Sequence, residues 1–114
     1  MIEVLEAPVM PEVAEPMKFS EAIRIGSKLR PQCREIYFDG VGSCALGAAM
    51  EAKTGSTSLS SMSVSDLSDK YLTYFAHPAW PGHEAELFTI IVQLNDQYLW
   101  TREEIADWLQ EQGL

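Results

Sequence analysis

The chain has 114 residues and a net charge of −9, from 17 acidic and 8 basic side chains. This length suits one domain with its own core, and 46% of the residues are hydrophobic, as in soluble globular proteins. The charge argues against nucleic-acid binding, because a phosphate backbone requires clustered Lys and Arg. No apolar run approaches the roughly 20 residues of a membrane helix, and the first residues lack the basic start of a signal peptide. We therefore expect a cytoplasmic protein without a membrane partner.

Residues 1–16 are predicted to form an arm in front of a helical domain at 17–114. Pro8, Pro11 and Pro16 exclude a regular helix in the arm. The arm also carries apolar side chains, so two interpretations remain open: a disordered extension, or an arm that docks on its own domain or on a neighbouring subunit.

Two helices are predicted in the first half of the domain. The first spans 20–30 with Ser20 as its N-cap, and the second spans 43–54 with Ser43 as its N-cap. The β-like run at 35–39 lies between them, so one short strand pair is expected there.

The stretch DGVGSCALGAAMEAKTG overlaps the second helix and matches a dinucleotide-binding pattern at Gly40, Gly42 and Ala45. That pattern requires a βαβ unit and an acidic residue about 20 positions downstream, and the sequence shows neither. We therefore predict a close-packing helix that ends at Gly55. Its small face consists of Ala45, Ala48 or Ala49, and Ala52, with Gly47 beside it.

Three more helices are predicted in the second half of the chain. A Ser/Thr-rich loop at 54–65 leads into a helix at 65–76 with a mostly apolar face. The helix at 84–98 has the widest apolar face and is expected to be the centre of the core.

The last helix has the clearest start signal. Thr101 and Glu104 form a capping box, in which each side chain accepts the other residue's backbone N–H, and Trp100 is placed to pack on Ile105. Gly113 is the predicted end. Together the patterns predict an all-α bundle of about five short helices.

Cys33, Cys44, His77 and His83 have the residue types of a zinc site but not its spacing, because the two cysteines are separated by ten residues. We expect neither a metal nor another cofactor. The sequence also contains no nucleophile motif that would support a Ser-His-Asp or Cys-His triad.

The polar pair Asn95–Asp96 at the end of the apolar helix has two interpretations. Asn and Asp favour turns for local hydrogen-bonding reasons. Alternatively, the pair lines a pocket beside aromatic surface. A helix N-terminus at Ser43 and Cys44 also suits an anion. The candidate ligand-binding residues are Ser43, Cys44, Asn95, Asp96, Tyr98 and Trp100.

Three blocks of the sequence, MKFSEAIRIGSKLRPQ (17–32), DGVGSCALGAAMEA (39–52) and LNDQYLWTREEIADWL (94–109), resemble a widespread family of small uncharacterised bacterial proteins. Similar chains occur among the products of mobile gene cassettes. The resemblance implies a domain that begins at Met17, and it implies no activity. Members of the family often carry a Cys-x-x-Cys pair before the apolar helix, where this chain has HPAWPGHE.

The leading functional hypothesis is a non-enzymatic acidic binding domain that acts as a homodimer. Three Trp, four Tyr and four Phe are more than a helical core of this size readily covers, so some are expected at an interface with a second copy or a partner protein. The alternative is a small-molecule pocket or an enzyme with a polar site near Asn95 and Asp96.

Overall fold

Five helices and one two-stranded antiparallel sheet make up residues 17–58 and 63–114, the part of the chain that the computed structural model describes. The described residues are mostly helical, as predicted, but the sheet departs from the predicted all-α bundle. The predicted arm at 1–16 lies outside the described residues. No helix in the described ranges is long and apolar enough to cross a membrane. The elements are α1 (Phe19–Ser27), α2 (Ala45–Thr54), α3 (Val64–Leu67), β1 (Tyr74–Ala76), β2 (Glu84–Glu86), α4 (Leu87–Asp96) and α5 (Arg102–Glu111).

Small residues allow α1 and α2 to pack at very short range. A methyl group at Gly26 of α1 would overlap the backbone of Ala48 in α2, and both residues are fully or almost fully buried. A methyl group at Gly42 or at Gly47 would also overlap a backbone carbonyl of the preceding loop, that of Pro31 or of Tyr37. The predicted close-packing role of the glycine stretch is therefore confirmed. In the described residues, no parallel sheet precedes it, as a dinucleotide-binding fold would require.

The helix α4 supplies the centre of the core, as its wide apolar face predicts. Its apolar residues pack with side chains from α1, α2 and α5 in one buried cluster. Side chains that are at most 1% exposed in this cluster include Ile23, Leu46, Leu87, Ile90, Ile91, Leu94, Ile105 and Leu109.

The predicted helix at 65–76 is wrong. The helix α3 has only four residues, and the chain then forms the hairpin β1–β2, in which Phe75 lies opposite Ala85. The N–H of Leu87 donates to the carbonyl of Thr73 at 2.9 Å, so the start of α4 extends the hairpin contacts. Because the hairpin includes Glu84–Glu86, α4 begins three residues later than predicted.

The prediction of a strand pair near 35–39 is also wrong, because the sheet of the described chain lies at 74–76 and 84–86. Near the expected position there are only isolated bridges, one of them between Phe38 and Ser43. The segment is therefore an irregular loop that packs along the start of α2.

Two of the predicted N-caps are displaced. The helix α1 begins after Lys18 rather than at Ser20, whose hydroxyl instead donates to the carbonyl of Leu114 at 2.9 Å. The helix α2 is capped by Cys44 rather than by Ser43. In both cases a more distant partner occupies the serine hydroxyl.

The predicted start of α5 is confirmed. The N–H of Glu104 donates to Thr101 Oγ1 at 3.0 Å, and the N–H of Thr101 donates to Glu104 Oε1 at 2.8 Å. We expect Thr101→Ala to lower the free energy of unfolding by about 1 kcal/mol, because it removes the acceptor at the helix start. Urea denaturation measures this change. Thr57→Ala, at an exposed position, is the matched control, and equal stabilities of the two variants would contradict the prediction.

Candidate functional site

A cavity of about 320 Å³ lies between the loop at 35–37, the start of α2 and the last two turns of α4. Its walls are largely apolar, and its charged and amide groups are Asn95 and Asp96 at the C-terminal end of α4 and Glu35 of the adjoining loop. This volume is within the range of about 300–1,000 Å³ that is typical of small-molecule sites. The lining residues are Glu35, Ile36, Tyr37, Cys44, Ala45, Leu46, Ile91, Val92, Asn95 and Asp96.

Asn95 joins three segments at the polar end of this cavity. Its Oδ1 accepts from Gln32 Nε2 at 2.8 Å and from the N–H of Ala45 at 3.1 Å. Its Nδ2 donates to the carbonyl of Cys33 at 3.0 Å and to Asp96 Oδ1 at 2.7 Å. The side chain is 1% exposed, so its role is a buried connection between α4, α2 and the loop, rather than the local turn chemistry weighed for it.

Asp96 holds the adjacent loop in a strained conformation. Its Oδ1 accepts the N–H of Glu35 at 2.9 Å, and Glu35 has a φ of 71°, in the left-handed region that non-glycine residues rarely adopt. Among the described residues, none donates a hydrogen bond to Asp96 Oδ2. Backbone strain of this kind is concentrated at functional sites in proteins.

The thiol of Cys44 is unsuited to nucleophilic chemistry. Burial, together with the nearby charge of Asp96, raises the pKa of Cys44 to about 11, so the thiol stays protonated at neutral pH. Its sulfur accepts a hydrogen bond from the N–H of Gly47 at 3.4 Å, and Asn95 Oδ1 accepts one from the N–H of Ala45. The first turn of α2 therefore directs two of its N–H groups to protein acceptors rather than to an anion.

Ser43 does not line the cavity. It is fully buried, and its hydroxyl accepts from Arg102 Nη1 at 2.9 Å. Arg102 also donates to the carbonyls of Ser43, Ser27 and Arg30 at 3.2, 3.2 and 2.8 Å. Burial lowers the pKa of Arg102, which nevertheless remains cationic at neutral pH.

Sequence reasoning missed Arg102, although a signal was present. The residue shares the spacing of the buried face of α5, with Ile105, Ala106 and Leu109. A cation in the first turn of a helix is also unfavourable next to the helix dipole. The two features together indicate a buried arginine with backbone acceptors.

Tyr98 and Trp100 lie away from the cavity. The ring of Tyr98 lies 5.3 Å from that of His77, and the side chain is 38% exposed. Trp100 lines a separate cleft of about 290 Å³ with Pro78 and the outer face of α5. Of the six candidate residues, the structure therefore brings Cys44, Asn95 and Asp96 together at one cavity.

Both ring nitrogens of His77 are occupied. The N–H of Ala79 donates to Nδ1 at 3.1 Å, which leaves Nε2 to carry the proton and donate to Gln93 Oε1 at 3.0 Å. His77 therefore connects the hairpin to α4. Within the described ranges, no three His, Cys, Asp or Glu side chains are grouped so that they could hold a metal ion.

Comparisons of the chain with protein-family models, with curated proteins and with solved structures found no match.

Proposed function

We propose that this chain is a cytoplasmic small-molecule-binding domain, and that its ligand occupies the cavity between the loop at 35–37, α2 and α4. The observation that carries the proposal is an apolar cavity of about 320 Å³ with polar groups at one end. Apolar walls supply binding energy, and a few placed polar groups fix the ligand's orientation. Both cysteines of the chain are free, which suits a reducing compartment.

Binding, rather than thiol catalysis, fits the chemistry of the walls. The Cys44 thiol is protonated, with a pKa of about 11. The amide of Asn95 has its oxygen and its nitrogen engaged in four hydrogen bonds to the protein. Asp96 Oδ2 and the Glu35 carboxylate, by contrast, accept from no described residue and are available to a ligand.

Titration with benzyl alcohol as a neutral probe tests the proposal. We expect the amide NMR resonances of Ile36, Leu46 and Val92 to shift saturably, because these residues line the cavity. The variant Val92→Trp should abolish the shifts by filling the cavity. Val64→Trp is the matched control, because Val64 is also partly buried against the core but does not line the cavity.

The comparison requires that both tryptophan variants fold, which thermal unfolding establishes. Shifts that are scattered over the surface, or that persist in folded Val92→Trp, would contradict the proposal.

A homodimeric interaction domain is the second candidate, and exposed apolar side chains favour it. Trp80 is 46% exposed and stacks on His83 at 3.7 Å, and Leu99 next to Tyr98 is 59% exposed. Exposed aromatic surface of this kind is typical of protein interfaces.

Sedimentation of the full chain tests this second candidate. We expect a dimer at high micromolar concentration that is weakened by Trp80→Ser, because that change removes the exposed indole. Leu72→Ser is the matched control. Leu72 is 52% exposed and precedes β1 in the chain, whereas Trp80 follows that strand. A species of 12.7 kDa alone would contradict the candidate.

A further inference from the structure

We propose that the ligand of the cavity is a small amine, with its ammonium group at Asp96 and an apolar body against α2 and α4. This inference rests on the proposed binding function and specifies its chemical class. The described residues that line the cavity include two carboxylates, those of Glu35 and Asp96, and no Lys, Arg or His.

The described protein donors to Asp96 use only one of its two carboxylate oxygens. Its Oδ1 accepts from the N–H of Glu35 at 2.9 Å and from Asn95 Nδ2 at 2.7 Å. No described residue donates to Oδ2. An ionised carboxylate only accepts hydrogen bonds, so a ligand at this oxygen must supply the donor.

The charge of Asp96 reaches the cavity wall. It adds to the raised pKa of Cys44, for which burial is the main cause. The buried cation Arg102 donates its hydrogen bonds to Ser43 and to two carbonyls near the end of α1, and it does not line the cavity. An ammonium group is therefore favoured over a neutral hydroxyl at the same place.

The remaining walls define the body of the ligand. Ala45, Leu46, Ile91 and Val92 form an aliphatic surface, and Tyr37 adds an aromatic ring. Apolar atoms therefore face the part of the ligand away from Asp96, and a volume of about 320 Å³ accommodates a single substituted ring. Benzylamine has this combination of an ammonium head and a compact apolar body.

The test compares benzylamine with benzyl alcohol and toluene, by calorimetry or NMR titration, on the full chain. We expect benzylamine to bind about tenfold more tightly than benzyl alcohol, because charge-assisted hydrogen bonds are about twice as strong as neutral ones. Added salt should reduce the difference.

The variant Asp96→Asn should remove the preference for benzylamine and leave benzyl alcohol binding within about twofold. Asn retains the Oδ1 acceptor for Glu35 and Asn95, so the local structure is expected to persist. Asp69→Asn is the matched control, because Asp69 is exposed and does not line the cavity. If Asp96→Asn fails to fold, Glu35→Gln removes the other carboxylate and should reduce the same preference.

The outcomes separate the amine preference from the binding function. If benzyl alcohol binds as tightly as benzylamine, the cavity binds small molecules and the amine proposal is overturned. If none of the three probes binds, both proposals fail. If Asp69→Asn weakens the preference for benzylamine as much as Asp96→Asn does, the preference reflects the overall negative charge of the protein. That result would also overturn the amine proposal.

Discussion

Arg102→Met is expected to lower the free energy of unfolding by about 3 kcal/mol. The arginine side chain is only 7% exposed, and its guanidinium donates to the carbonyls of Ser27, Arg30 and Ser43. Methionine retains most of the volume but leaves these carbonyls without their donor. Unsatisfied buried acceptors each cost about 1–3 kcal/mol, and regained apolar packing offsets part of that cost.

Arg24→Met is the matched control for this change. Arg24 also bridges two helices, since it donates to Glu103 and Asp107 of α5 at 2.9 and 2.6 Å. Those carboxylates are more than half exposed, so water replaces the lost donor and the effect should be small. Urea denaturation, followed by tryptophan fluorescence, measures both variants. Equal midpoints for Arg102→Met and Arg24→Met would contradict the role assigned to Arg102.

Gly26→Ala is expected to destabilise the chain by about 3 kcal/mol or more. The added methyl would overlap the backbone oxygen of Ala48, which cannot move aside as a flexible side chain does. The two helices must therefore separate, and the buried contacts of Ala22 and Ile23 with α2 would be lost with them.

The sign of this effect distinguishes close packing from simple helix propensity. In an open helix, replacing glycine with alanine stabilises by about 1 kcal/mol. Thermal unfolding should therefore show a lower midpoint for Gly26→Ala. A higher midpoint would mean that α1 and α2 are farther apart than described. Ile25→Ala, at a neighbouring position that is 45% exposed, controls for changes to α1 itself.

Features that depend on neighbouring residues were predicted correctly from the sequence. The capping box of Thr101 and Glu104 involves partners three residues apart. Gly55 ends α2 with a φ of 74°, and its N–H donates to the carbonyl of Glu51 at 2.7 Å. Because each of these interactions is complete within about one helical turn, local sequence is sufficient to predict it.

Features that depend on distant partners were missed. Ser43 has the residue type of an N-cap, but its hydroxyl accepts from Arg102, 59 positions away. The apolar spacing at 65–76 suggests a helix, yet β1 pairs with β2 there, and the carbonyls of Tyr71 and Thr73 accept from the start of α4. Tertiary pairing overrides local propensity at such positions.

The candidate site was predicted in part for the same reason. Asn95 and Asp96 stand out in sequence as polar residues at the end of an apolar helix, and both line the cavity. The loop that faces them was not identified, because Glu35 approaches Asp96 from 61 positions away in the chain. Tyr98 and Trp100 are close to the pair in sequence, but they do not line the cavity because the chain turns away after α4.

A crystal structure of the full chain grown with benzylamine tests the central claim most directly. The proposal predicts electron density for the ring between Leu46 and Val92, with the nitrogen about 3 Å from Asp96 Oδ2. An empty cavity at saturating benzylamine, or a cavity filled by the side chains of Ile36 and Tyr37, would contradict the claim.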